Sequence, residues 1–190
     1  MKIFIFLILI SGCATNQYIS SYSYKENQRA VNLYERGLAF KEKGEYANAI
    51  NEFQRFLDYY RNTYFCDEAY YQIAECYRLL LQWPEAIKSY KRLISKFSKP
   101  FVLFRPFVKE RESSFIPEAN YKIGLCFEEQ RDYLKAIEYY EETIKKYYFT
   151  EWGPLSEEGI KRIIAKNPDA KWAKKEEKKL ARLIKKVKKK

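Results

Sequence analysis

The side chain with the clearest chemical use near the start of the sequence is the thiol of Cys13, a nucleophile that stands directly after two small residues. Before Ser11 and Gly12 come a single lysine and eight apolar residues, Ile3 to Ile10. A helix needs about 20 apolar residues to cross a bilayer, so this run is too short to be a membrane span. A charged first turn, a short apolar core and small residues at its end are typical of a secretory signal peptide. We therefore predict a signal peptide over residues 1–12.

The end of this segment, Ile10-Ser11-Gly12-Cys13, resembles the lipobox of bacterial lipoproteins. The resemblance implies cleavage before Cys13, a diacylglycerol on its thiol and an acyl group on its new amine. More than one acyl chain makes anchoring stable, since each buried methylene contributes about 0.8 kcal/mol. Residues 13–26 then form a lipidated tether. The residue after Cys13 is Ala14, whereas enterobacterial lipoproteins that are retained in the inner membrane have aspartate at this position. The absence of aspartate favours the periplasmic face of the outer membrane. The alternative is an ordinary signal peptide followed by a chance cysteine.

The composition argues against an enzyme. The sequence has no histidine, which removes Ser-His-Asp and Cys-His nucleophilic arrangements and most zinc sites. It has no glycine-rich phosphate loop and no metal-ligand spacing, so we predict no catalytic residues, no metal and no cofactor. The acidic pairs Glu128-Glu129 and Glu141-Glu142 are expected at solvated helix positions. Cys66, Cys76 and Cys126 lack CxxC spacing and are interpreted as small buried packing residues, with a Cys76–Cys126 disulfide as the alternative.

Three stretches of the sequence share a pattern of small and aromatic residues. Each has a small residue, then an aromatic residue after three positions, another after nine, an alanine after twelve and an aromatic after sixteen. The matched sets are Gly37, Phe40, Tyr46, Ala49 and Phe53; Ala74, Tyr77, Trp83, Ala86 and Tyr90; and Gly124, Phe127, Tyr133, Ala136 and Tyr140. Small residues let two helices approach closely and the aromatic rings fill the space around the contact, so each stretch is predicted to form a helical hairpin.

This pattern resembles the tetratricopeptide repeat, in which helical hairpins stack into a solenoid. The predicted fold is therefore all-α, a tetratricopeptide-type helical-hairpin solenoid of three repeats with a C-terminal capping helix, over residues 27–190. The repeats are placed at 30–63, 67–97 and 117–147, two inserts at 98–116 and 148–166, and a basic capping helix at 168–190. The predicted helices of the repeats are 27–43, 46–60, 67–81, 84–97, 117–130 and 133–147.

Two segments carry a more specific resemblance, to the BamD (YfiO) family of outer-membrane assembly lipoproteins. The family's run Tyr-Pro-x-Ser-x-Tyr-x-x-x-Ala is matched in part by Tyr60, Tyr64 and Ala69, with Asn62 and Thr63 as approximations. A clearer copy of the same signature precedes the last helix, with Pro168, Asp169, Ala170 and Trp172. Proteins of that family commonly carry five repeats, whereas three are visible here.

The tetratricopeptide resemblance also implies a ligand-binding groove, lined by the fifth, ninth and twelfth positions of each repeat. A tyrosine stands at the fifth position of all three repeats, and tyrosine suits peptide capture because its ring offers a large contact area at little entropic cost. The predicted groove residues are Tyr34, Leu38 and Lys41; Tyr71, Glu75 and Arg78; and Tyr121, Leu125 and Glu128. The alternative is that the three tyrosines pack between neighbouring first helices.

The insert at 98–116 is apolar without a helical or alternating period, and loops this long and apolar are uncommon unless they bind something. Phe101, Leu103, Phe104 and Phe107 are its candidate docking residues. Alternatively, the loop folds back over a hairpin edge and buries these side chains.

The end of the chain is strongly basic. Residues 171–190 contain eleven Lys or Arg and two Glu, a net charge of +9 within the chain's +11. The capping helix is predicted to be amphipathic, because one face collects Trp172, Leu180, Leu183, Ile184 and Val187. Its basic face is a candidate contact for anionic lipid headgroups or an anionic envelope polymer, with a solvated helix and a frayed lysine tail as the alternative. Nucleic acid is not an expected partner of an exported protein.

Together these features predict a lipid-anchored periplasmic scaffold for protein–protein interactions. The BamD resemblance implies that its partner is an envelope protein, a component of outer-membrane β-barrel assembly. The alternative function is a cell-envelope organiser that contacts peptidoglycan, the division apparatus, or a secretion or pilus apparatus.

Overall fold

The computed structural model describes residues 28–60, 65–98 and 112–189, and the regular structure within these ranges is helical. Eight helices follow one another there: α1 over 28–42, α2 Tyr46–Tyr59, α3 Cys66–Leu79, α4 Trp83–Phe97, α5 Phe115–Glu129, α6 Tyr133–Tyr147, α7 Trp152–Lys166 and α8 Ala173–Val187. The predicted all-α class is confirmed, and α2 to α6 begin and end within about two residues of their predicted bounds. The signal peptide, Cys13 and the tether lie outside the described residues.

The chain divides into two units, Met1–Arg61 and Asn62–Lys190. In the described part of the first, the N-terminal unit, α1 and α2 pack as a hairpin. The two helices come close together at Gly37, where a Cβ atom would lie 2.6 Å from Cε1 of Phe53. Phe53 and Phe56 are fully buried, and the ring of Tyr34 packs on both at centroid distances of 5.5 and 5.8 Å. The core of this hairpin is therefore aromatic.

In the second, the C-terminal unit, each helix packs against the next and the first helices of successive hairpins also contact one another. α3 pairs with α4, α5 with α6, and α7 with both α6 and α8, while α3 contacts α5 and α5 contacts α7. The backbones of α4 and α6 scarcely approach each other, although Nζ of Lys91 on α4 lies 5.4 Å from the centroid of the Tyr139 ring on α6. The C-terminal unit is thus a two-layer stack, and we call α3, α5 and α7 its first-helix layer.

The prediction of an insert at 148–166 is wrong, because most of this segment is α7. Gly159 lets α7 approach α6 so closely that a Cβ atom there would lie 2.8 Å from Cε2 of the Tyr140 ring. Ile160 and Ile163 then join the buried cluster around that ring. Gly159 follows Gly124 by 35 residues, close to the tetratricopeptide period of about 34, so α7 and α8 form a fourth hairpin.

The three cysteines of the described residues are buried thiols, as predicted. Cys126 is a free thiol, which excludes the alternative disulfide with Cys76 in this structure. Burial raises the pKa of Cys126 to about 12, so the side chain is protonated at neutral pH and serves as a packing group.

The turns inside the first three hairpins share one backbone conformation. Gly44, Leu81 and Arg131 each stand seven residues after the small residue of their repeat and have φ angles of 77°, 60° and 61°. The next N–H group closes a Schellman motif, as when the Asp132 N–H donates to the Phe127 carbonyl at 2.9 Å. Glycine adopts this left-handed conformation without steric cost, whereas a residue with a Cβ atom does not. Leu81 and Arg131 therefore hold a strained backbone.

Leu81→Gly and Arg131→Gly are each expected to raise the free energy of unfolding by about 0.5–1 kcal/mol. Relief of left-handed strain is worth about 1–2 kcal/mol, and the added entropy of glycine in the unfolded chain offsets about 0.5–1 kcal/mol of it. Urea denaturation followed by circular dichroism measures the change. The control is Leu79→Gly at the last residue of α3, where the backbone is helical and no left-handed strain is relieved, so this substitution should not raise stability. Loss of stability in both turn variants would show that these turns are not strained.

Candidate protein-binding surface

Tyr71 lies in the core of the C-terminal unit. Its side chain is 8 % exposed, and its ring stacks on Phe115 at the start of α5 with centroids 4.9 Å apart. A second ring, that of Tyr90 in α4, lies 6.1 Å away. The Tyr71 hydroxyl donates a hydrogen bond to Oε1 of Glu118 at 2.5 Å. Burial, the nearby carboxylate of Glu75 and this hydrogen bond raise the pKa of Tyr71, so the ring is a neutral packing element between three helices.

Tyr121 takes the same place at the next interface along the stack. Its half-buried ring lies 5.6 Å from Tyr140 of α6 and 5.5 Å from Trp152 at the start of α7. Burial raises its pKa as well. Tyr71 and Tyr121 therefore join successive first helices, which is the packing arrangement that the sequence left open as the alternative.

The predicted row of groove tyrosines needs correction in the N-terminal unit too. Tyr34 is 6 % exposed and packs inside its own hairpin, while Leu38 and Lys41 are half-buried on α1. An aromatic ring at the fifth position is large enough to reach the neighbouring helix, and burying it there removes apolar area from water. Tyr34 and Tyr71 are therefore core residues and do not line an exposed groove.

Glu75, a predicted groove residue, is a buried carboxylate with a complete set of donors. It is 7 % exposed, and the Arg78 guanidinium donates to both of its oxygens at 2.9 Å. The Tyr90 hydroxyl also donates to it, and Nζ of Lys122 lies 3.9 Å away. Burial alone would raise the pKa of Glu75, but the hydrogen bonds from Arg78 and Tyr90 outweigh that effect and lower it. Glu75 therefore stays ionised and fixes the Arg78 side chain.

Glu128 has an equivalent environment one hairpin later, which contradicts its predicted solvated position. Nε and Nη2 of Arg162, from α7, donate to its two oxygens at 2.9 and 2.8 Å. The Tyr140 hydroxyl donates at 3.0 Å, and Nζ of Lys166 lies 3.7 Å away. Burial is again outweighed by hydrogen bonds from Arg162 and Tyr140, so the pKa of Glu128 is lowered. Glu141 is also buried rather than solvated, because Lys179 reaches it from α8 at 2.8 Å.

The two carboxylates reveal a recurring unit that the sequence patterns did not predict. In each case a fully buried tyrosine, Tyr90 or Tyr140, stands sixteen residues after the small residue of its repeat. Its hydroxyl donates a hydrogen bond to a carboxylate of the same hairpin. An arginine donates to both oxygens of that carboxylate. The two acids occupy different repeat positions, one and four residues after the small residue, so an alignment of the repeats does not bring them together. The tyrosine that both repeats have sixteen residues after the small residue was the one sequence feature that could have indicated this unit.

The first-helix layer presents the outer parts of these networks to solvent. The Arg78, Lys122 and Arg162 side chains are 26 %, 18 % and 36 % exposed, and Leu125 of α5 is half-buried and packs against the cluster around Tyr140. Leu155 of α7 is 36 % exposed. Such a face can bind a polypeptide through apolar contacts and hydrogen bonds. Within the described ranges no three metal-binding side chains come together, and no helix combines the length and hydrophobicity needed to cross a bilayer.

α8 caps the stack with its apolar face inward. Leu180 and Val187 are buried, and the cluster around Tyr140 also takes in the half-buried side chains of Trp172, Leu183 and Ile184. The predicted capping helix 168–190 becomes helical at Ala173, after a turn. Its basic residues face solvent, and among the described residues Lys179 is the one on α8 with a carboxylate within ion-pairing distance. The predicted docking residues Phe101, Leu103, Phe104 and Phe107 lie outside the described residues.

Comparison with protein families identifies the repeats. Two family models, each described as a tetratricopeptide repeat, match the sequence, one over residues 34–100 and the other over residues 118–147. These ranges contain α2, α3, α4 and α6 and most of α5, and they agree with the predicted fold class. No curated protein matches the sequence.

Solved structures share this architecture. A crystal structure of MamA, 21 % identical in sequence, matches with a TM-score of 0.52 over 85 % of this chain and 81 % of that one. A crystal structure of a Podosopora anserina putative kinesin light chain with nearly identical TPR-like repeats matches with a TM-score of 0.57 at 13 % identity, over 85 % of this chain and 78 % of that one. Likeness at such low identity concerns the fold alone.

Proposed function

Because the chain is a tetratricopeptide-repeat protein, we propose that it is a scaffold for envelope proteins, held at the periplasmic face of the outer membrane by lipid on Cys13. Tetratricopeptide proteins bind protein partners, and the Ile10-Ser11-Gly12-Cys13 sequence supports a lipid anchor. The partner class is a component of β-barrel assembly. That choice rests on the BamD-like segments at Tyr60–Ala69 and Pro168–Trp172.

The observation that carries the binding role is that the arginine side chains of the first-helix layer are held in fixed positions. Arg78 and Arg162 are each held by two hydrogen bonds to a carboxylate, and each side chain is still partly exposed. Immobilising a long side chain on binding costs about 0.5–1.5 kcal/mol, and here that cost is met during folding. The layer is therefore preorganised for a partner that accepts hydrogen bonds and contacts Leu125 and Leu155.

The outward face of α8 supports the orientation of the scaffold at a membrane. Lys174, Lys178, Arg182 and Lys185 are exposed and have no carboxylate within ion-pairing distance among the described residues. Each cation near an anionic bilayer contributes about 1 kcal/mol of attraction. In this proposal the acyl chains provide the attachment and α8 adds a salt-dependent contact with anionic headgroups.

Photo-crosslinking in cells tests the binding surface. A photoreactive amino acid at Leu125 or Leu155 should capture an outer-membrane assembly component, whereas the same amino acid at Lys88 or Glu138, exposed positions on α4 and α6, should capture much less. Peptidoglycan, division or secretion components captured at Leu125 and Leu155 would instead favour the cell-envelope organiser. Equal capture at all four positions would show that the first-helix layer is not the binding surface.

Cys13→Ser is expected to abolish membrane attachment. Without the thiol there is no atom to carry the diacylglycerol, so the chain should remain as an uncleaved precursor or appear in the soluble periplasmic fraction. Membrane fractionation and metabolic labelling with a radioactive fatty acid measure the change. Ser11→Ala, which keeps both a small residue and Cys13, is the matched control and should be labelled and anchored normally. Unchanged attachment of the Cys13 variant would contradict the lipid anchor.

A further inference from the structure

The N-terminal unit has a basic groove between α1 and α2 that the proposed function leaves unassigned. Two adjoining cavities of about 420 and 240 Å³ run along these helices and share Arg36. α1 contributes Arg29, Leu33 and Phe40, with Lys43 directly after its end. The other wall is formed by α2 and carries Arg55 and Tyr59. We refer to these residues together as the α1–α2 groove.

The groove residues of α1 follow the spacing of a helix–helix contact. Arg29, Leu33, Arg36, Phe40 and Lys43 stand four, three, four and three residues apart, which places them along one face of the helix. Cationic and apolar side chains alternate along this row. The two arginines lie roughly 10 Å apart along the axis, and the whole row spans roughly 20 Å. An elongated ligand could contact all of it at once, whereas a single small anion could contact one cation or two.

The groove has an excess of positive charge. Arg36 and Arg55 both pair with Glu52, a nearly buried carboxylate, and the Arg36 and Arg55 side chains remain 54 % and 55 % exposed. Arg29 and Lys43 are exposed and have no carboxylate within ion-pairing distance among the described residues. The acidic residues of α1, Glu35 and Glu42, lie on the order of 120° around the helix from the row. Among the residues that line the groove, the single carboxylate of Glu52 is therefore outnumbered by four cationic side chains, those of Arg29, Arg36, Lys43 and Arg55.

We propose that the α1–α2 groove binds an acidic amphipathic helix of a partner protein. Carboxylates of that helix pair with Arg29, Arg36 and Lys43, and its apolar side chains pack on Leu33, Phe40 and the exposed ring of Tyr59. This inference rests on the proposed scaffold role and names a second binding site and the chemistry of its partner.

Charge complementarity favours an acidic partner over two other possible occupants, the segment that precedes α1 and a second copy of the chain. Residues 14–27 contain one carboxylate, that of Glu26, beside one lysine, so the preceding segment has little to offer four cations. A second copy of the chain carries the same net charge of +11 and would be repelled by the groove. An acidic partner is attracted to it, and the attraction should weaken as salt is added.

Fluorescence anisotropy with the full-length chain tests the inference. The probe is a labelled helical peptide of roughly three heptads with Glu and Leu alternating at three- and four-residue spacing, and the control peptide has Gln in place of Glu. The groove variant Arg29→Glu/Lys43→Glu is compared with Lys88→Glu/Arg131→Glu, a pair of exposed residues outside the groove and outside α8 that gives the same change in net charge. Circular dichroism establishes that both variants keep the helical content of the native chain.

The expected result is binding of the Glu peptide to the native chain, at least tenfold weaker binding to the groove variant and less than twofold weakening in the Lys88/Arg131 variant. The Gln peptide should bind at least tenfold more weakly than the Glu peptide. Equal weakening in both variants would reduce the effect to net charge and overturn the proposal. It is also overturned if the groove variant loses binding to phosphatidylglycerol vesicles, or loses a dimer in sedimentation, while peptide binding is unchanged. None of these results depends on the lipid anchor or on crosslinking at the first-helix layer, so failure here leaves those tests intact.

Discussion

Tyr71→Ala is expected to lower the free energy of unfolding of the C-terminal unit by about 3–5 kcal/mol, the range found when a buried aromatic side chain is truncated to alanine. The ring is 8 % exposed and fills the space between Phe115 and Tyr90, so its removal leaves a cavity where three helices meet. Urea denaturation followed by circular dichroism measures the loss. Tyr121→Ala should cost less, because that ring is half-buried.

Tyr71→Phe is the matched control. It keeps the ring and removes the hydroxyl that donates to Glu118 at 2.5 Å. The Glu118 side chain is 20 % exposed and also lies 3.6 Å from Nζ of Lys122, so water and Lys122 take over part of the lost interaction. The expected cost is about 1–2 kcal/mol. If the Tyr71→Ala variant has the same urea midpoint of unfolding as the native chain but no longer crosslinks to a partner, Tyr71 is a binding residue and its placement in the core is wrong.

The hairpins could be predicted from the sequence because each one repeats a local steric requirement. A small residue must meet a large ring where two helices cross, and this requirement appears as a fixed spacing between Gly37 and Phe53 or between Gly124 and Tyr140. Gly44 similarly marks a left-handed turn. The requirement lies within one hairpin, so no knowledge of the tertiary arrangement is needed to read it.

The fourth hairpin was missed because α7 keeps one feature of the repeat and lacks the rest. Gly159 retains the close approach to Tyr140, but the position three residues later is Arg162, where the other repeats have an aromatic residue. That arginine turns back to Glu128, so a position that packs in other repeats forms an ion pair here. A search based on aromatic spacing does not detect this replacement.

The candidate site was harder to predict than the fold, because its geometry depends on contacts between hairpins. The resemblance placed Tyr71 in a groove, yet its ring is covered by Phe115, a residue of the next hairpin. The pairing of Glu128 with Arg162 likewise joins residues 34 positions apart in different hairpins. The sequence identifies which residues share a helix face, whereas the neighbour that covers a face follows from the stacking.

The double substitution Gly124→Ala/Gly159→Ala is expected to destabilise the C-terminal unit by about 1–5 kcal/mol. The two glycines lie on opposite sides of the fully buried Tyr140 ring, and added Cβ atoms would lie 2.6 and 2.8 Å from its carbons. Overpacking costs about 1–3 kcal/mol at each site, and the ring cannot move away from one new methyl group without meeting the other. Alanine gains about 1 kcal/mol of helix propensity over glycine at each position, which offsets part of the loss.

The double-mutant cycle separates this effect from a general loss of helix packing. Because both methyl groups press on one ring, the two single substitutions should cost less in sum than the double substitution does, with a coupling of about 1 kcal/mol or more. Shortening the ring as well, with Tyr140→Leu, should remove the clash, so that the added alanines become neutral or stabilising by their helix propensity. Additive single effects, or alanines that still destabilise the Tyr140→Leu background, would show that Tyr140 is not clamped between α5 and α7.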